Sequence, residues 1–259
     1  DADRDALKCD GLIEIAGGDV DLTVQGNQSK GLNSPAVTLS GGTLDIATSG
    51  GVVLEASGLG FDPSYCTGIK ADDLVLIDGC QLTITATGVA GRGVSCDGDI
   101  TVQSGGVTVH ASGGGGTYTD ETGGDLLLAG GTISLTHTGS GGKGISGDSG
   151  LTIGVAGAGP TLQIATSGAP ISIGGGEYAE AKGASVDSVL TVDGGTLTLT
   201  SVDDALKSKV RLEINGGTIN VVNALEGFES PNLYINGGEV HINTTDDGLN
   251  ATYGVDGEA

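Results

Sequence analysis

The chain keeps rewriting one phrase. Asp203-Asp204-Ala205-Leu206-Lys207-Ser208 leads into Leu212-Glu213-Ile214-Asn215-Gly216-Gly217-Thr218-Ile219. Arg4-Asp5-Ala6-Leu7-Lys8-Cys9 leads into Ile13-Glu14-Ile15-Ala16-Gly17-Gly18, and Glu226-Gly227-Phe228-Glu229-Ser230 into Leu233-Tyr234-Ile235-Asn236-Gly237-Gly238. Self-similarity at a fixed period of this size is the signature of a solenoid, in which each repeat buries its apolar face only against its neighbours.

Aligning on the first-strand anchors gives Ala6-Leu7, Gly31-Leu32, Gly68-Ile69, Gly93-Val94, Gly144-Ile145, Gly183-Ala184, Ala205-Leu206, Gly227-Phe228 and Gly248-Leu249. The gap between Gly93 and Gly144 has room for two coils, and Leu126-Leu127-Leu128-Ala129-Gly130-Gly131 supplies half of the one whose anchor is missing. Within a coil, apolar residues alternate with polar ones: Ile13 and Ile15 flank Glu14, Leu197 and Leu199 flank Thr198, Val240 and Ile242 flank His241. Alternation marks strands, and no helical period competes with it. The expected fold is all-β: a right-handed parallel β-helix of about ten coils, three short strands per coil, spanning 1–259 as one domain. Scarce aromatics, absent Trp and Met, and paired glycines at turns suit a narrow aliphatic core.

The formal charge of -23 argues against nucleic acid and anionic membranes as partners. No apolar run of spanning length occurs. The chain opens inside the repeat phrase, which reads as a piece of a longer secreted or surface protein. Cys9, Cys66, Cys80 and Cys96 form no Cys-x-x-Cys pair; Cys9 and Cys96 read as buried and too far apart to bond, while Cys66 and Cys80 share a coil and either pair or stay free.

Superposed anchors stack Asp204, Glu226 and Asp247 in one column, flanked by Asp203, Asp246 and Glu229, with Asp3 and Asp5 at the other end. Like charges about 4.8 Å apart repel by roughly 4 kcal/mol at an effective dielectric near 20, so the column needs compensation. Two sources are open. Lys30, Arg92, Lys143 and Lys182 hold the same register in middle coils and allow cross-coil ion pairs, such as Asp5 with Lys30 or Lys182 with Asp204. Alternatively calcium, which takes about six to eight oxygens, uses the acidic set itself.

Insertions at 50–66, 113–124 and 168–181 leave from one corner of the solenoid and carry Phe61, Tyr65, Tyr118 and Tyr178. Such aromatics either stack on sugar rings or close local mini-cores. His110, His137 and His241 are dispersed and read as outward-facing.

The repeated Asp-Asp-Ala-Leu-Lys-Ser phrase at 203–208, with its cousins Lys143-Gly144-Ile145-Ser146 and Lys182-Gly183-Ala184-Ser185, resembles the bacterial family of carbohydrate-binding domain-containing proteins, the β-helical type associated with cellulose and pectic polysaccharide. The resemblance covers essentially the whole chain. It implies a β-helix similar to pectate lyases, several calcium ions, extracellular or cell-surface placement and a polysaccharide partner. Calcium ligands carry over onto Asp203, Asp204, Glu226, Asp246 and Asp247, and less completely onto Asp3 and Asp5. An acidic glycan would then reach the acidic surface through bridging calcium. Two alternatives stand beside this binding module. One is a calcium-dependent lyase with Lys207 or Arg211 as base. The other is a surface adhesin or ice-binding solenoid presenting Thr132-x-Ser134-x-Thr136 and Thr196-x-Thr198-x-Thr200.

Overall fold

A computed structural model describes residues 5–58, 60–114, 118–174 and 176–252. Among them every regular element is a strand, so no helix is long and apolar enough to cross a membrane. The strands wind into a parallel solenoid of about nine turns, against the ten coils expected. Three sheets run along its axis. The first is read through the in-register positions Leu32, Ile69, Val94, Asp120, Ile145, Ala184, Leu206, Phe228 and Leu249. The second runs through Val37, Val75, Ile100, Leu126, Leu151, Leu190 and Leu212. The third runs through Leu44, Leu82, Val107, Ile133, Leu162, Leu197 and Ile219.

Alternation alone decides which residues face inward. In the central turns Leu, Ile and Val of each column are buried and stack on their equivalents one rung away. Each such side chain gains roughly 1.5–3 kcal/mol on burial, and the ladder bonds that hold its strand come only from neighbouring turns. The same rule overturns the outward reading of His137. It follows Ile133 and Leu135 in phase, faces inward and is fully buried. Its Nδ1 accepts from the Gly139 N–H at 3.1 Å, and burial, with His110 nearby, lowers its pKa to about 4. Cys66, Cys80 and Cys96 are buried and all four cysteines are free. Cys9 is only half-buried, with its Sγ accepting from the Gly11 N–H at 3.4 Å.

The anchor glycines have a steric cause. A Cβ at Gly31, Gly68, Gly144 or Gly227 would lie 2.3–2.7 Å from a backbone carbonyl of the next turn and 2.4–2.7 Å from the Cγ2 of Ile46, Ile84, Ile164 or Ile242 respectively. Where Ala205 replaces the glycine, Val221 occupies the isoleucine's register in the third sheet.

The missing anchor is a strand after all. Tyr118–Thr122 fills the first sheet between Arg92–Cys96 and Lys143–Gly147, with Asp120 in register with both Val94 and Ile145. The other two insertions are antiparallel hairpins, Val53–Ser57 with Gly60–Ser64 and Ile171–Gly174 with Glu177–Ala179. Both follow a third-sheet strand and precede a first-sheet strand, as the shared corner requires.

Candidate functional site

The first sheet concentrates the charge. Ahead of its inward residues, successive turns present Lys30, Thr67, Arg92, Tyr118 and Lys143, then Lys182, Asp204, Glu226 and Asp247. The column opens on Asp5, is basic through the middle turns and is acidic towards the far end, as the alignment anticipates.

At the acidic end lies a compensated network. Lys182 Nζ bonds Asp204 at 2.7 Å and Glu180 at 3.0 Å, and also contacts Asp203. Lys207 Nζ lies 3.5 Å from Asp204 and contacts Glu229. Burial alone would lower the Lys182 pKa, but Asp204 and Asp203 outweigh it and hold the ammonium charged. Burial pushes the Asp204 carboxyl up, aided by Asp203. Burial also raises Glu180, and its hydrogen bond to Asp203 adds to that. At Asp203 burial acts upward too, yet Lys182 and the Glu180 contact turn the balance below the usual carboxylate range. The cross-coil ion pair between Lys182 and Asp204 is therefore present.

Asp204, Glu226 and Glu229 each offer a carboxylate oxygen, all within 4.8 Å of one another. This trio is a hard-donor set of the kind calcium takes. Lys207 occupies two of the three, and Asn250 donates to both Glu226 oxygens at 3.0 and 3.1 Å. All three carboxylates are hard oxygen donors that already have partners, and a divalent cation would have to displace Lys207 to reach them. Asp203 is committed to Lys182, while Asp246 and Asp247 are exposed and outside the trio. Asp3 lies outside the described residues. Asp5 accepts from the Lys30 backbone N–H at 2.7 Å and the Asn33 amide at 2.6 Å.

In the basic part of the column is a cleft of about 450 Å³ between the first hairpin and the sheet face. Lys30, Lys70 and Arg92, three of the chain's ten basic residues, converge there with Tyr65, beside Asp62, Asp97 and Asp148. The Arg92 guanidinium lies 3.4 Å from the Tyr65 ring centroid, a cation–π contact that fixes both groups. Lys30 Nζ donates to Gln28 O at 2.6 Å and Ser64 Oγ at 3.4 Å, tying the hairpin base to the sheet. Burial lowers the Lys30 pKa, only partly offset by Asp5, so an arriving anion would relieve a cost already present. Lys70 is paired with Asp97. Two larger troughs, about 540 Å³ over the second sheet and about 620 Å³ over glycine turns, lack such convergent cations.

Tyr65 follows the first hairpin and Tyr178 lies on the second. Tyr65 lines the cleft with one ring face covered by Arg92, while Tyr178 is exposed on the other hairpin. The side chains of Phe61 and Tyr118 lie outside the described residues. Sequence reasoning placed Lys30 and Arg92 in the column but did not see the cleft, although the reversal of charge sign was its signal. The lyase alternative names Lys207 or Arg211 as base. Lys207 is bound in the first sheet, whereas Arg211 sits exposed in the second, 3.4 Å from Glu213.

Parallel strands stacked in register along one axis place the chain in the class of β-solenoid repeat proteins. A family model described as carbohydrate-binding domain-containing protein matches residues 1–116 and 57–227, overlapping as a repeat array allows, and the chain belongs to that family. No curated protein and no solved structure matches the chain.

Proposed function

We propose that the protein is a secreted or cell-surface polysaccharide-binding module, with an acidic glycan seated in the cleft under the first hairpin. The observation that carries this is the convergence of Lys30, Lys70 and Arg92 beside Tyr65, in a chain otherwise dominated by carboxylates. Ammonium and guanidinium groups would meet uronate carboxylates, and the cleft walls would meet the sugar rings. The family supports a carbohydrate partner; the three cations, set against Asp62, Asp97 and Asp148 in the same lining, are what would meet an acidic one.

Calcium belongs to the same proposal. Asp204, Glu226 and Glu229 would hold it, and its chemistry would be to neutralise their charge and offer a cation to glycan carboxylates. The cleft gives an acidic glycan a route that does not need the ion. Calorimetric titration of chelator-stripped protein with polygalacturonate, with and without calcium, tests both parts. Binding without calcium, weakened at least tenfold (about 1.4 kcal/mol) in Lys30→Ala/Lys70→Ala, is the expected result. Binding that appears only with calcium and ignores the double substitution would move the site to the acidic end. Release of an ultraviolet-absorbing unsaturated product would replace the binding module with a lyase.

A further inference from the structure

The network around Lys182 encloses an amine among carboxyl groups. The Lys182 side chain is 9% exposed, that of Asp203 8% and that of Asp204 2%. Lys70 and Asp97 show the contrast, with the carboxylate 71% exposed and open to water. Lys182 Nζ touches three carboxyl groups: Asp203 most closely, then Asp204 at 2.7 Å and Glu180 at 3.0 Å. Glu180 is also hydrogen-bonded to Asp203, so it reaches both members of the closest pair.

The backbone holds these groups in place from both sides. The Gly183 N–H donates to Asp204 O at 2.9 Å, the Asp203 N–H to Ala181 O at 3.3 Å, and the Lys182 N–H to Glu180 O at 3.1 Å. Amine and carboxyl groups therefore meet because successive turns of the solenoid are locked together. Positioning of this kind replaces an encounter between free groups with a very high effective concentration.

We infer that Lys182 Nζ and Asp203 Cγ condense into an intramolecular amide, a covalent staple between successive turns of the first sheet. A neighbouring carboxylate takes one proton from the ammonium, and the freed amine attacks Asp203 Cγ. The C–N bond forms, one Cγ–O bond breaks, and that oxygen leaves as water with two protons that began on Nζ. One ammonium and one carboxylate become one neutral amide and one water, so no oxidant or further reactant is needed. Glu180, touching both partners, carries the proton between them, with Asp204 beside it. Asp203 is the acceptor because it lies nearest, whereas Asp204 is also faced by Lys207 at 3.5 Å.

Enclosure favours the product. Two buried charges that have each shed hydration disappear together, and little water is at hand to reverse the step. The staple would lock the turn where the second hairpin, Ile171–Gly174 with Glu177–Ala179, rejoins the first sheet. The inference does not depend on what the cleft binds.

The test is the intact mass of the full chain, folded and then denatured, with a tryptic map. The wild type is expected to be lighter than its sequence by one water, uncut after Lys182, with fragmentation placing the link on residues 182 and 203. Lys182→Arg and Asp203→Ala are expected at full sequence mass, and Glu180→Gln mostly so. Asp203→Asn keeps an acyl carbon and is expected to lose ammonia in place of water. The wild-type mass decides even where a variant fails to fold: full sequence mass overturns the inference. So does water loss that persists in Lys182→Arg or that hydroxylamine abolishes, which would assign it to a succinimide at an Asp-Gly pair such as Asp97-Gly98.

Discussion

His137 shows how a single inward position creates a pH response. Its imidazole is buried, and Gly139 donates to Nδ1, so the folded state holds the neutral ring. The folded pKa, about 4, lies below the unfolded value of 6.5, because burial disfavours the cation. As pH falls below about 6.5 the unfolded chain takes up a proton that the folded chain refuses. Stability is therefore full at neutral pH, declines towards pH 4, and loses about 3 kcal/mol across that window from this residue. Unfolding free energies from urea titrations at pH 7.5 and 4.5 should differ by about that much less in His137→Ala, the variant that installs the residue of the preceding rung, Ala111. An unchanged pH difference would place the titrating group elsewhere. Lys182 illustrates the opposite balance at the same scale. Buried among Glu180, Asp203 and Asp204, it is kept charged by its partners and offsets the repulsion among those three carboxylates.

At the scale of the element, the anchor dipeptide is a packing rule rather than a turn signal. Glycine at the first-sheet anchor leaves room for an isoleucine Cγ2 of the same turn's third strand and for the next turn's carbonyl. Gly144→Ala puts a Cβ 2.4 Å from Ile164 Cγ2, and a loss of about 1–3 kcal/mol is expected in chemical denaturation. Adding Ile164→Ala, which removes that Cγ2, should destabilise by less than the sum of the two single changes. Strict additivity would show that the carbonyl contact, not the isoleucine, sets the rule. This scale also shows how far the sequence was legible. Alternation plus Gly-Gly turns identified the second and third strands of nearly every turn, because burial acts on them with a strict period of two. The Tyr118–Thr122 strand escaped because it has no anchor glycine and carries Asp120 where its neighbours carry Val94 and Ile145. Its pairing comes from the strands on either side, not from its own residues.

Across the whole molecule, the three sheets divide the surface by charge. The first carries a cleft where three cations meet three carboxylates and, further along, a compensated acidic network, and the third carries exposed threonines in register. The acidic column was readable from spacing, since the anchors fix the register. The cleft was not, because Lys70 approaches Lys30 and Arg92 only through the winding of the solenoid and the fold-back of Gly60–Ser64. The measurement that bears most directly on the central claim is amide hydrogen exchange with and without polygalacturonate oligomers. Slowed exchange confined to the segments around 60–70 and 92–97 is the predicted result. Protection centred on 203–229 instead, or none anywhere, would contradict a glycan site in the cleft.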